Sequence, residues 1–104
     1  MAIPKVTMLR SASIPYSDLS GKDLSLSDMS GANLRGVNFS FSNLSGADLS
    51  GSNLFGAMME QSNLCGANLR GATLIGVDLF RAWFDGYTVF PVGFDPVKAG
   101  MRRA

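Results

Sequence analysis

From Ser17 to Gly86 a large apolar residue returns every five positions, beginning Leu19, Leu24, Met29, Leu34 and Phe39 and ending Leu74, Leu79 and Phe84. The residue before it is Asp or Asn in most repeats, as at Asp18, Asn33, Asn43, Asp48, Asn63 and Asn68. Two positions before it the residue is small (Ala32, Ala47, Ala57, Ala67, Ala72), and two after it is usually glycine. So dense a repeat dictates an array of identical structural units and leaves little sequence free for chemistry.

A period of five fits neither the helix at about 3.6 nor the strand at about 2. Three residues do fit a short strand, with the small residue inward, Asp or Asn outward and the large residue inward. Continued alternation would put the next large residue on the wrong face, so the chain turns a corner in every repeat. Glycine supplies the positive φ that a type II corner needs, and Asp or Asn bonds nearby backbone as in an Asx turn. An amphipathic helix fails because glycine at every fifth position costs ~1 kcal/mol each in a helix interior.

Four of the fourteen repeats lack the corner glycine and carry Leu26, Phe41, Gln61 and Arg81 instead. The last three are twenty residues apart, as are the centres Phe39 and Met59. Four sides per coil stack these exceptions into one column; three sides scatter them.

With its stretches ANLRG at 32–36, ADLSG at 47–51 and ANLRG at 67–71, the chain resembles the pentapeptide-repeat family over about two thirds of its length. The resemblance implies an all-β fold, a right-handed quadrilateral β-helix. With Leu9 and Ile14 in register the coil has sixteen sides, about four coils, and a height of ~19 Å. The expected organisation is an irregular amino-terminal coil or cap over 1–16, interrupted by Pro4 and Pro15, a β-helix over 17–86, and a carboxy-terminal cap over 87–104. Departures from the family pattern are Lys22 at an inward position, and Met58, Thr73 and Trp83 where Asp or Asn is expected. Lys22 falls in the first coils, where its ammonium can reach water.

After Gly86 the repeat stops. Asp95–Pro96 reads as a helix start, with Asp as N-cap, and Gly100 ends a helix of one or two turns. Phe90, Phe94, Val97 and Met101 are expected to lie across the last coil as a lid over its bare edge. The run Thr88–Pro96 is similar to the tails of cyanobacterial members of the family. Since family members associate through that end, a homodimer contact there is a further expectation.

The chain has no histidine, which excludes histidine triads, histidine-ligated zinc and histidine acid–base chemistry. Asp28 and Asp48 fall one coil apart on one side but read as outward corner residues, not as a carboxylate pair sharing a proton. The glycines recur at every corner and form no phosphate loop. Cys65 stands alone and lacks a visible activating group. No catalytic, metal or cofactor residues are therefore expected, and no cofactor. Residues 17–86 hold seven acids against four bases, a formal −3, and the whole chain is +1. That balance argues against nucleic acid as a partner. Neither a signal peptide nor a membrane-spanning segment is read, so the expected location is a bacterial cytoplasm.

The informative residues are apolar ones at outward positions. Phe55 and Ile75 stack on one side, Met58 and Phe80 on the next, and Phe41 adds a corner. Together they form a patch of the kind that marks an interface, unless the chain's own ends cover it. The reading that follows is a non-enzymatic structural or protein-interaction module, binding a protein partner or itself. The alternative carried by the resemblance is a DNA mimic that binds and protects DNA gyrase; the weak negative charge and outward Arg35, Arg70 and Arg81 speak against it.

Overall fold

A computed structural model describes residues 7–104. Its order is a parallel ladder in which each outward residue pairs with the one twenty positions on. Ser13 pairs with Asn33, Asn33 with Asn53 and Asn53 with Thr73, and likewise from Asp18, Asp23 and Met8. Twenty residues are four pentapeptides, so the coil has four sides. We number them by their first outward residue: first (Ser13), second (Asp18), third (Asp23) and fourth (Met8). Within each side the amide of the large residue donates to the coil above, as in Leu34 to the Asn53 carbonyl at 2.8 Å, and the outward amide donates to the coil below, as in Asn33 to Ala12 at 2.8 Å. No helix is present among the described residues.

Each corner is closed by a bond from the small residue's amide to the preceding large residue's carbonyl, such as Ala47 to Leu44 at 3.0 Å. Of the two residues between them, the second has positive φ. Nine glycines adopt it, from Gly21 to Gly76, and so do Leu26, Phe41, Gln61 and Arg81, at φ 57° to 61°. The ladder thus imposes on those four the conformation that glycine adopts without cost, since the amide of each donates to the turn above it.

The interior is a column of one large and one small residue per side. Leu24, Leu44, Leu64 and Phe84 stack on the third side, as the phase predicts, at 4, 0, 0 and 6 % exposure. Serine replaces alanine inside because the preceding carbonyl accepts its hydroxyl. Ser42 donates to Phe39 at 2.6 Å, Ser52 to Leu49 at 2.7 Å and Ser62 to Met59 at 2.7 Å. The bulky Phe39 and Met59 lie over one another on the second side, both fully buried.

The ladder reaches below the stretch of strict repeats. Leu9 donates to Asp28 and Ile14 to Asn33, and Ser11 and Tyr16 turn corners with positive φ. Residues 7–16 therefore follow the register of the coil above, with Pro15 directly before the corner at Tyr16. The expectations for residues 1–6, Pro4 among them, lie outside the described residues. Lys22 is exposed at this end.

At the other end the five-residue rule breaks at Gly86, which lacks the positive φ of the other corners. Asn68 pairs with Val89, a step of one residue more than the ladder's twenty. The carboxylate of Asp85 takes over the corner, accepting from the amides of Gly66, Tyr87 and Thr88 at 3.0, 3.0 and 3.1 Å and from the Thr88 hydroxyl at 3.2 Å. Two short strands, β1 (Trp83–Phe84) and β2 (Arg102–Arg103), then pair in parallel. Val89 thus lies over the fourth side and β2 over the third.

The tail differs from expectation in two respects. Residues 95–100 form successive turns rather than a helix. The Asp95 carboxylate accepts from the Val97 amide at 3.0 Å, as in an N-cap, but Gly100 donates to Val97 and Met101 to Pro96, which closes the segment after one turn. Val97 is 73 % exposed, whereas Phe90, Phe94, Ala99 and Met101 pack against the core. Phe84, Phe90 and Phe94 form an aromatic run, with centroids 5.8 and 5.1 Å apart.

Candidate functional site: an outward apolar face

Outward positions are built by the Asx residues. The Oδ1 of each accepts from the amide two residues on, Asn33 from Arg35, Asn53 from Phe55 and Asp78 from Phe80 among them, at 3.0 to 3.3 Å. This bond holds the residue after each large centre at the brink of the corner, pointing to solvent.

Phe55 and Ile75 occupy that position on the first side, on adjacent coils, at 38 and 68 % exposure. Met58 and Phe80 lie on the second side at 42 and 56 %. Phe55, Ile75 and Met58 flank the corner column Gly36–Gly56–Gly76, while Phe80, directly before Arg81, lies at the opposite edge of the second side. Phe41, 62 % exposed, stands at the same edge as Phe80, where it starts a column with Gln61 and Arg81. The tail meets the group at Phe80, against which Gly100 packs, while the Gly100 carbonyl accepts the Arg81 amide at 2.8 Å.

Two further exposed groups escape a reading of repeats alone. Arg35 places its guanidinium 4.6 Å from the centroid of Phe55 and donates Nε–H to the Tyr16 hydroxyl at 3.0 Å. Arg102 stacks on Trp83 at 4.1 Å. The first was recoverable from the twenty-residue spacing of Arg35 and Phe55. The second depends on where the tail returns, which no period encodes.

The carboxylates are engaged at their own corners. Asp18 and Asp28 are held below the usual carboxylate range, first by the hydroxyls of Ser20 and Ser30 and then by those residues' amides. Burial pushes Asp85 up, but its four hydrogen bonds outweigh that and hold it low. Asp28 and Asp48 pair through their backbones as ladder neighbours, each carboxylate accepting from its own serine. Burial, then the Asp85 carboxylate, pushes the Cys65 thiol up, opposite to the direction a nucleophile needs. Among the described residues no cluster of His, Cys, Asp or Glu fits a metal ion, no cavity opens into the column, and no helix is long and apolar enough to cross a membrane.

A four-sided parallel ladder with small and large residues alternating inside defines a β-solenoid of five-residue repeats. The family model for pentapeptide repeats matches residues 9–46, 32–71 and 47–86, and the chain belongs to that family. Among solved structures it is similar to a pentapeptide repeat protein from Nostoc PCC 7120, at 35 % identity over 95 % of this chain and 86 % of that one, with a TM-score of 0.54. It is also similar to a pentapeptide repeat protein of the Arabidopsis thaliana thylakoid lumen, at 28 % identity over 89 % of this chain and 62 % of that one, with a TM-score of 0.72. QnrB1, a plasmid-mediated fluoroquinolone resistance protein, shares 23 % identity over 93 % of this chain and 62 % of its own, with a TM-score of 0.45. No curated protein matches the sequence.

Proposed function

We propose that the chain is a non-enzymatic protein-interaction module, and that the face carrying Phe55, Met58, Ile75 and Phe80, with Phe41 beside it, receives a protein partner. In this reading the coil is right-handed and about four coils tall, the segment over 87–104 closes its end, and the protein works in the cytoplasm. The observation that carries the reading is that these side chains stay between 38 and 68 % exposed although the tail returns beside them. Side chains of this size contribute to affinity when a partner covers them and only lower solubility when bare. The closed column of fully buried leucines supports the absence of catalysis, since it offers no concave site.

The rival reading is gyrase mimicry. It requires a strongly acidic rod, whereas residues 17–86 are only −3 and Arg35, Arg70 and Arg81 are exposed on the surface.

Replacing Phe55 and Ile75 together by Ser tests the proposal. The variant is expected to fold as the parent does, because neither side chain enters the column, and to lose partner capture or self-association in pull-down and sedimentation. Unchanged capture and unchanged assembly defeat the proposal. A supercoiling assay is expected to show neither inhibition nor protection of gyrase.

A further inference from the structure

The second side is bounded by two edges of opposite relief. On one, Gly36, Gly56 and Gly76 leave a trough: a β-carbon on Gly56 would meet nothing within 4 Å, and one on Gly76 only the Gly56 backbone at 3.6 Å. Phe55 and Ile75 wall it on one flank, Met58 and Asp78 on the other. On the opposite edge Phe41, Gln61 and Arg81 stand out as a ridge, all exposed and all at positive φ. That conformation costs a non-glycine residue about 1 kcal/mol or more, and glycine meets the need of the fold at nine other corners. Ser11, Tyr16 and Leu26 take that conformation singly on the other edges, and only this edge carries three such residues in succession, which marks it for something other than folding.

We propose that the second side is where two copies of this chain pair, about a two-fold axis parallel to the coil axis, the ridge of each seated in the glycine trough of the other. The inference rests on the reading of the chain as an interaction module and names the partner. An axis of this direction lays the second sides face to face and sets each ridge opposite the second copy's trough at both edges, so the contact is self-complementary and closes. Heights match because Phe41, Gln61 and Arg81 each follow a trough glycine by one side. An axis perpendicular to the coil would set trough against trough.

Charge selects a second copy as the occupant. Arg81 on the ridge comes opposite the flank of the second copy's trough, where Asp78 lies. Within one copy the Arg81 guanidinium has no acid partner among the described residues, and the Asp78 carboxylate accepts only the amide of Phe80 there. Gln61 comes opposite Phe55 and Met58 of the second copy. Phe41 meets the Tyr16 ring, which fills the trough below Gly36 and is 69 % exposed. One side of so short a coil buries less than the ~1,200 Å² of a stable interface, so the pairing is weak and concentration-dependent.

Sedimentation equilibrium of the full chain between ~10 µM and ~1 mM, a range suited to a weak pair, is the test. The unaltered protein is expected to dimerise across this range. Arg81→Asp and Asp78→Arg are each expected to weaken the dimer at least about tenfold, and the two together to restore it, although the chains with Asp78→Arg also lose the acceptor of the Phe80 amide and melt somewhat lower. If either reversal unfolds the coil, Arg81→Gly and Asp78→Asn carry the test, since glycine suits the corner and Asn still accepts the Phe80 amide; both are expected to weaken pairing. A chain that stays monomeric at the highest concentration, or a double reversal as weak as the single ones, overturns the proposal. A monomer that still captures a protein partner through Phe55 and Ile75 overturns only the choice of a second copy.

Discussion

Position within the five-residue unit decides what a residue does here more than its chemical type. Leu49 and Ser50 are neighbours, yet Leu49 is fully buried while Ser50 lies at the surface, donating to Asp48 at 2.5 Å. Leu49→Ala is expected to destabilise by about 2–5 kcal/mol and Ser50→Ala by less than about 1 kcal/mol, as read from urea midpoints. The corner glycines separate two effects. Both Gly36 and Gly51 have positive φ, at 65° and 66°, so alanine is strained at either. Only at Gly36 does a β-carbon also collide, with the ring of Tyr16; at Gly51 it meets nothing within 4 Å. Gly36→Ala is therefore expected to lower the melting temperature more than Gly51→Ala, and Tyr16→Ala to remove the difference.

The coil and the tail solve the same backbone problem differently. Inside the coil every ladder group is answered one coil away. At the last coil the tail answers the third and fourth sides: Leu69 donates to Val89 at 2.7 Å, Arg102 to Ala82 at 2.7 Å and Ala104 to Phe84 at 2.7 Å. Deleting residues 87–104 removes these bonds and uncovers Phe84, leaving an open edge that invites association. The truncated chain is expected to melt lower and to aggregate, as followed by light scattering during a thermal ramp; a truncation as stable and as monomeric as the parent would show that the tail closes nothing. The coil was legible in the sequence because its period is a covalent fact, and the exceptions at Phe41, Gln61 and Arg81 gave the number of sides. The tail was legible only in composition. Phe90, Phe94 and Met101 were apolar enough to pack, but nothing in the order of residues distinguished them from Val97, and the single turn at Asp95 begins with the same N-cap as a helix. The exposed face was legible too, since each of its members breaks the outward polarity of the repeat. Its relief was not, because a trough and a ridge arise from what three successive coils do together.

At the scale of the whole molecule, acid should act on many corners at once. Asp18, Asp28 and Asp85 all have folded pKa values below their unfolded ones. Their stabilisation is thus fully present above the unfolded carboxylate value of about 3.9 and is lost as pH falls through the lower folded values. The melting temperature is expected to hold between neutral pH and pH ~5 and to fall below pH ~4. Asp85→Asn keeps an acceptor but loses the charge, so it should flatten that fall; an acid limb of unchanged steepness would remove Asp85 from the account.

Because every ladder bond joins residues about twenty apart, the conformational search behind each contact is that of one circuit, whatever the length of the rod. Closing a loop that short costs little entropy, and the cost does not grow as circuits are added. Although every described pairing is parallel, an arrangement that usually folds slowly through distant pairings, none among the described residues has a distant partner to wait for. Lengthening it by whole circuits should multiply its ladder while leaving the sequence separation of its contacts unchanged.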